Sequence, residues 1–216
     1  MKRNNISFKR DTFKLELLKN FKLEGQYQFP VVQGTNRVLN KYEVIPFNLA
    51  TSIENKQKYF VHFYIDDYQF DRIWNYPEKY LELLKQFKGV IAPDFSMYID
   101  MPKSMQIYNC FKSRVLSAYW QANGILVIPN ATWSDFNSFD YCFDSLPKNS
   151  TVAVSSVGCI KNSKALLKFC EGFLEMKKRL SPTHILFYGE IPESLKDDKK
   201  IIQIATHMQI KIKGVI

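Results

Sequence analysis

The chain has 216 residues, of which 46% are hydrophobic and 15% aromatic, and its formal net charge is +9. That length suits one domain, or one domain with a small appendage, and the apolar content suffices for a substantial core. No apolar run reaches the length of a membrane span, and neither G-x-x-x-x-G-K-[ST] nor G-x-G-x-x-G occurs, which argues against a membrane protein and against phosphate cradling by those loops.

The start, MKRNNISFKRD, has no apolar signal stretch. The four cysteines form no C-x-x-C pair, and Cys159, Cys170 and His184 match no usual zinc spacing. A cytoplasmic chain with reduced thiols is expected, with no metal and no cofactor. Residues 1–45 read as a basic segment packing on the core. Within it Asp11 can cap a helix carrying Phe13, Leu15, Leu17 and Leu18, and 26–45 reads as irregular or extended. The remainder, 46–216, reads as a single α/β domain with a loop at 50–58.

From Tyr59 the pattern becomes regular. Strands are predicted at 60–65, 89–91, 125–128, 151–154 and 184–188, followed by 200–204 and a β-rich tail at 209–216. Helices are predicted at 77–87, 104–122 and 163–180. Pro77 suits a first helical turn, and Tyr80, Leu81, Leu83, Leu84 and Phe87 give that helix an apolar stripe. Loop 131–150, ATWSDFNSFDYCFDSLPKNS, is the longest interruption, and long loops in compact domains often carry function. Crossovers of about twenty residues with a helix inside imply parallel strands. The fold class is therefore α/β, a mainly parallel sheet or partial barrel of five to six strands alternating with helices.

Parallel strands share one face at their carboxyl ends, where α/β sheets and barrels place their sites. That face would gather Asp66, Asp67, Tyr68, Asp94, Ser96, Asn130, Trp133, Asp135, Ser155, Ser156 and Glu190. Asp66, Asp67, Asp94 and Glu190 could hold Mg²⁺ through oxygen ligands and support a nuclease or other phosphotransfer reaction. Aspartate and serine are equally turn and cap residues, so the same acids could brace the loops. His62, His184 and His207 lack a helpfully spaced nucleophile or carboxylate. Cys159 reads either as a nucleophile or as a small buried residue.

The positive balance points to an acidic partner, nucleic acid or an anionic membrane surface. Basic and aromatic residues interleave at Phe8-Lys9-Arg10, at Lys19-Asn20-Phe21-Lys22 and from Tyr108 to Arg114. Such groups would neutralise phosphates while rings stack on bases. Without a helix-turn-helix, zinc-finger or RNP signature, RNA or single strands fit better than sequence-specific DNA readout. Candidate RNA contacts are Arg3, Lys9, Arg10, Lys14, Lys112, Arg114, Lys177, Lys178 and Arg179, although the last three also suit the dipole at a helix C-terminus.

The segments YIDDYQFDRIWNYPEKYLELLKQFKGVIAPDFSMYIDMP and FDSLPKNSTVAVSSVGCIKN resemble a domain-of-unknown-function family of Gram-positive bacteria, their phages and other mobile elements. The resemblance continues through Gln106-Ile107-Tyr108-Asn109, Arg114, Asn123-Gly124, Ile128-Pro129-Asn130, Trp133 and Tyr188-Gly189, and covers residues 40–195. The family pattern has S-P-D-F-S where this chain has Ala92-Pro93-Asp94-Phe95-Ser96, so a catalytic serine at that first place is in doubt. The resemblance carries over no catalytic residues. It implies residence on a phage or mobile element, with roles in replication or counter-defence, including inhibition of RNA-targeting CRISPR immunity by a protein that carries RNA. The leading reading is a non-catalytic RNA-binding protein that occupies a host nucleic-acid machine such as a CRISPR effector. No membrane partner is expected, and the chain could pair as a homodimer. The alternatives are the Mg²⁺-dependent enzyme and a replication accessory protein of a mobile element.

Overall fold

Seven short runs rich in Val, Ile and Phe form parallel strands within residues 14–214, the part of the chain that the computed structural model describes. A small antiparallel pair, β1 (Leu23–Glu24) and β2 (Phe29–Pro30), precedes them. Next come β3 (Val44–Pro46), β4 (Phe60–His62), β5 (Gly89–Ile91) and β6 (Val127–Ile128), paired in that order as a four-stranded parallel sheet. A three-stranded parallel sheet follows, made of β7 (Thr151–Ser155), β8 (His184–Tyr188) and β9 (Ile201–Ile204). A parallel bridge between Asn130 and Ala153 joins the two sheets. Spatial order therefore repeats chain order.

Helices α1 (Arg72–Asn75) and α2 (Pro77–Leu84) lie between β4 and β5, and α3 (Lys103–Ala122) between β5 and β6. They are followed by α4 (Phe139–Cys142), α5 (Ser163–Leu180) and α6 (His207–Ile212). Among the described residues no helix is long and apolar enough to cross a membrane.

Alternation along the strands sorts the core. Val44, Phe60, Ile91, Ile128, Ala153, Leu186 and Ile204, one from each parallel strand, meet in a single cluster. The opposite faces pack under the helices: Ile45, Val61, Val90 and Val127 against Leu84, Leu116 and Trp120, and Val152, Val154, Ile185 and Phe187 against Phe169, Phe173 and Met176. The sheets thus curve about a shared interior with helices outside. The ladder does not close. β9 and β3 do not pair with each other, and a bond from Ala205 N–H to Lys41 C=O (2.7 Å) spans the seam.

The α/β class and the parallel pairing match the sequence reading, but the parallel strands number seven rather than five or six. The extra strand is β3, which begins inside the stretch read as irregular or extended and pairs with β4. The tail read as β-rich is instead helical at His207–Ile212. Thr206 caps the Gln209 N–H while the Gln209 side chain accepts from Thr206 N–H, a reciprocal cap that outweighs the β-branched residues after it. The helix expected around Leu15, Leu17 and Leu18 is a short 3₁₀ turn, Leu15–Leu18, preceded by a left-handed Lys14 (φ 55°). Asp11 and Phe13 lie outside the described residues.

Candidate functional site: a cavity at the strand exits

The ends of β4 to β7 surround a cavity of ≈ 560 Å³. Tyr64, Asp94, Thr132 and Ser155 reach it from four successive strand exits. Ala165, Lys168 and Phe169, on one face of α5, form a wall, and Met97, Tyr98, Ile99 and Trp133 complete the enclosure.

A hydrogen-bonded chain makes the floor. Asp94 Oδ1 accepts from Asn130 Nδ2 (2.8 Å) and from the Thr132 hydroxyl. Asn130 Oδ1 accepts from the Tyr64 hydroxyl (2.8 Å), which fixes the way its amide faces. Asp94 Oδ2 has no hydrogen-bond partner among the described residues, and Asp94 lines the cavity. Burial pushes the Asp94 carboxyl up to about 6, against the pull of the Thr132 and Asn130 bonds and with a further push from the Asp67 charge. Behind the floor, Tyr64 and Tyr188 stack at 4.7 Å between centroids. His62 is fully buried beside them; its Nδ1 accepts from Tyr64 N–H (3.2 Å) and its Nε2 is unpartnered. Burial, with the neighbouring His207, brings the His62 pKa down to about 3, so its ring is neutral.

Polar side chains of α3 pin the walls. Gln106 donates to the carbonyls of Tyr98 (3.1 Å) and Met101 (3.0 Å) and accepts from the hydroxyls of Ser134 (2.7 Å) and Tyr141 (2.8 Å). Every donor and acceptor of that buried amide is used. Asn109 donates to Ser96 C=O (2.7 Å) and Ser113 to Pro93 C=O (2.8 Å). The loops after β5 and β6 are therefore fixed before any ligand arrives.

Residues 21–206, which contain all seven parallel strands and the whole cavity lining, match the family described as Domain of unknown function (DUF4417). The chain belongs to the DUF4417 family. The "Gene 1 protein" of Mycobacterium phage L5 is 37% identical over 178 residues, covering 82% of this chain and 77% of the relative. The "Gene 1 protein" of Mycobacterium phage D29 is 34% identical over 184 residues, covering 82% of this chain and 66% of the relative. No solved structure matches. The resemblance seen in the sequence is thus to DUF4417, over a wider span than 40–195, and a phage setting fits these relatives.

In this DUF4417 chain the cavity gathers Asp66, Asp94, Ser96, Trp133 and Ser155 from the strand-exit candidates, with Asn130 in its floor. Asp67 is a brace, accepting from Ser96 N–H (3.2 Å) and the Ser96 hydroxyl (2.8 Å) to tie the loops after β4 and β5. Asp135 accepts from Asn137 N–H (3.0 Å) and lies 3.5 Å from Lys168. Ser156 donates to Glu190 C=O (2.7 Å), while the Glu190 side chain is exposed and outside the cavity. Asp66, Asp67, Asp94 and Glu190 therefore do not assemble into the Mg²⁺ site considered from sequence. Among the described residues no three His, Cys, Asp or Glu side chains are grouped to hold a metal ion. All four cysteines are free; Cys159 lines the cavity, and burial pushes its thiol up, away from thiolate character.

Of the candidate RNA contacts, Arg3, Lys9 and Arg10 lie outside the described residues. Lys14 Nζ donates to Asn75 C=O (3.0 Å). Lys112 and Arg114 correct the reading, because both are buried. Lys112 sits 3.9 Å over the Phe95 ring and 3.5 Å from Asp71. Arg114 donates to the carbonyls of Cys142 (2.6 Å) and Asp144 (3.2 Å). Their basic–aromatic spacing marks the polar inner side of α3 rather than a surface. Lys177 pairs with Asp198, Arg179 with Glu175 (2.7 Å), and exposed Lys178 lies 3.5 Å from Glu175. No local pattern marks Met97, Thr132 or Lys168 as cavity residues. For Tyr64 the available signal is alternation from Phe60 through His62, which turns it to the interior face.

Proposed function

We propose that the protein binds single-stranded RNA, takes one unstacked base into the strand-exit cavity, and thereby occupies a host nucleic-acid machine. The observation that carries this reading is the cavity, which sets aromatic and apolar walls, Trp133, Phe169, Met97 and Tyr98, around the polar Asp94–Asn130–Thr132 floor. Its volume of ≈ 560 Å³ suits a nucleoside-sized ligand. Single strands are recognised by splayed bases laid on aromatic faces, without a duplex groove to read. The net charge of +9 favours a polyanion outside the cavity, and Lys161 and Lys164, near its Gly158–Cys159 rim, are exposed. The phage relatives give such a protein a host to act on, and an RNA-guided CRISPR effector is the machine suggested by the sequence resemblance.

The test is fluorescence anisotropy with a labelled short single-stranded RNA. We expect binding that weakens steadily as salt rises. Exposed Tyr98 sits at the cavity rim, so Tyr98→Ala should weaken binding roughly tenfold without unfolding the protein, as loss of one stacking platform does. No binding at low salt, or the same affinity in Tyr98→Ala, would reject the proposal.

A further inference from the structure

We infer that the base selected by the cavity is guanine, a refinement that rests on the RNA-binding reading above. The choice follows from a count of the side-chain protons on the floor and in the loops beside it. The Thr132 hydroxyl and one Asn130 N–H are spent on Asp94 Oδ1. Asn130 cannot turn over, because its oxygen holds the Tyr64 hydroxyl (2.8 Å) and its amide also donates to Thr132 (2.8 Å). The Ser134 hydroxyl proton goes to Gln106 (2.7 Å) and the Ser96 proton to Asp67 (2.8 Å). Lys168, the one ammonium in the lining among the described residues, faces Asp135 at 3.5 Å. What the floor leaves over is an acceptor, Asp94 Oδ2.

A floor that offers an acceptor and withholds side-chain donors complements a flat ligand with adjacent N–H groups on one edge, and the donors left on the walls, the Ser155 hydroxyl and the remaining Lys168 protons, suit the carbonyl that guanine carries beside them. Among the bases guanine alone presents a ring N–H beside an exocyclic amino group on its pairing edge; adenine and cytosine pair their amino group with a ring acceptor, and uracil flanks its N–H with two carbonyls. The acidic floor in a chain of net charge +9 also separates the tasks, with base recognition inside and phosphate attraction outside.

The experiment compares labelled oligouridine strands carrying one central guanine, inosine, adenine or cytosine. The wild-type protein should bind the guanine strand about tenfold or more tighter than the adenine strand, with inosine, which lacks the amino group, between them. Asp94→Asn keeps Oδ1 for Asn130 and Thr132 and puts an N–H₂ where Oδ2 stands, so it should fold normally. It should erase the guanine preference, bringing the affinity for the guanine strand to within about threefold of that for the adenine strand. Equal binding of all four strands by the wild type, or a guanine preference that survives Asp94→Asn, overturns the inference and leaves the RNA-binding reading in place. Failure of every strand to bind overturns both.

Discussion

Asp94 and His62 belong to one hydrogen-bonded chain, through Asn130 and Tyr64, yet they respond to acid in opposite senses. Folded Asp94 titrates at about 6 against an ordinary 3.8. The folded state therefore takes up its proton first, and the stability linked to Asp94 is present at low pH and lost as pH rises through about 6. His62 titrates at about 3 against 6.5. Its neutral form supports the fold above 6.5, and that contribution is lost as pH falls toward 3. The wild-type response is the sum of these two, with Asp67 facing Asp94 and His207 facing His62. Urea midpoints measured across this range in two variants should separate them. Asp94→Asn should lose stability on acidification faster than wild type, approaching ~1.4 kcal/mol per pH unit. His62→Asn, which keeps an acceptor for the Tyr64 N–H, should be flat or gain stability. Variants that both track the wild-type curve would mean the two groups are not coupled to folding. At this scale the sequence was partly readable. Asp94 was one of several acids placed at the strand exits and it does line the cavity, and the bracing role open to Asp67 is the one it has. The opposite happened with Lys112 and Arg114, because a basic side chain looks solvent-facing until its neighbours Phe95, Cys142 and Asp144 are known.

Helix α5 shows what an element contributes beyond its own propensity. Gly172 should weaken it, yet a Cβ there would stand 2.1 Å from Trp133 Nε1, so the glycine makes room for a wall of the cavity. Gly172→Ala is expected to destabilise the protein by ~1–3 kcal/mol despite alanine's better helix propensity, and to shift tryptophan fluorescence as the ring moves off Phe169. A more stable variant with unchanged fluorescence would show that the ring does not rest on this glycine. The span of α5 was legible because its apolar residues recur at helical spacing and Ser181-Pro182 follows it. Helix α3 was legible in extent but not in facing, since it buries Gln106, Asn109, Ser113, Arg114 and Ser117 along with its apolar residues. Periodicity reports where apolar side chains lie, and it is silent about a polar side that is turned inward to hold loops.

For the molecule as a whole, the parallel α/β pattern came through from strand–helix alternation, whereas β3 and the curvature depend on contacts distant in sequence. The sheets also differ in how deeply they are embedded. β7 and β8 are buried along almost their whole length, while β9 is half-buried at three of its four positions and borders the seam. Hydrogen exchange should therefore divide them, with amides of Ile201–Ile204 opening locally and those of Val152–Val154 and Ile185–Phe187 exchanging only on global unfolding. Uniform protection across all three strands would contradict this. The seam has a consequence for how the protein is made. Because neighbours in space are neighbours in sequence, a nascent chain can add each strand to the one before it as it leaves the ribosome. Lys41 emerges more than 160 residues before its partner Ala205, and Val44 a similar distance before Ile204 and Ile210, with which it shares the interior. Until residues 204–210 have emerged the chain carries an unguarded β-edge and a half-built interior, and that short stretch decides when the exposure ends.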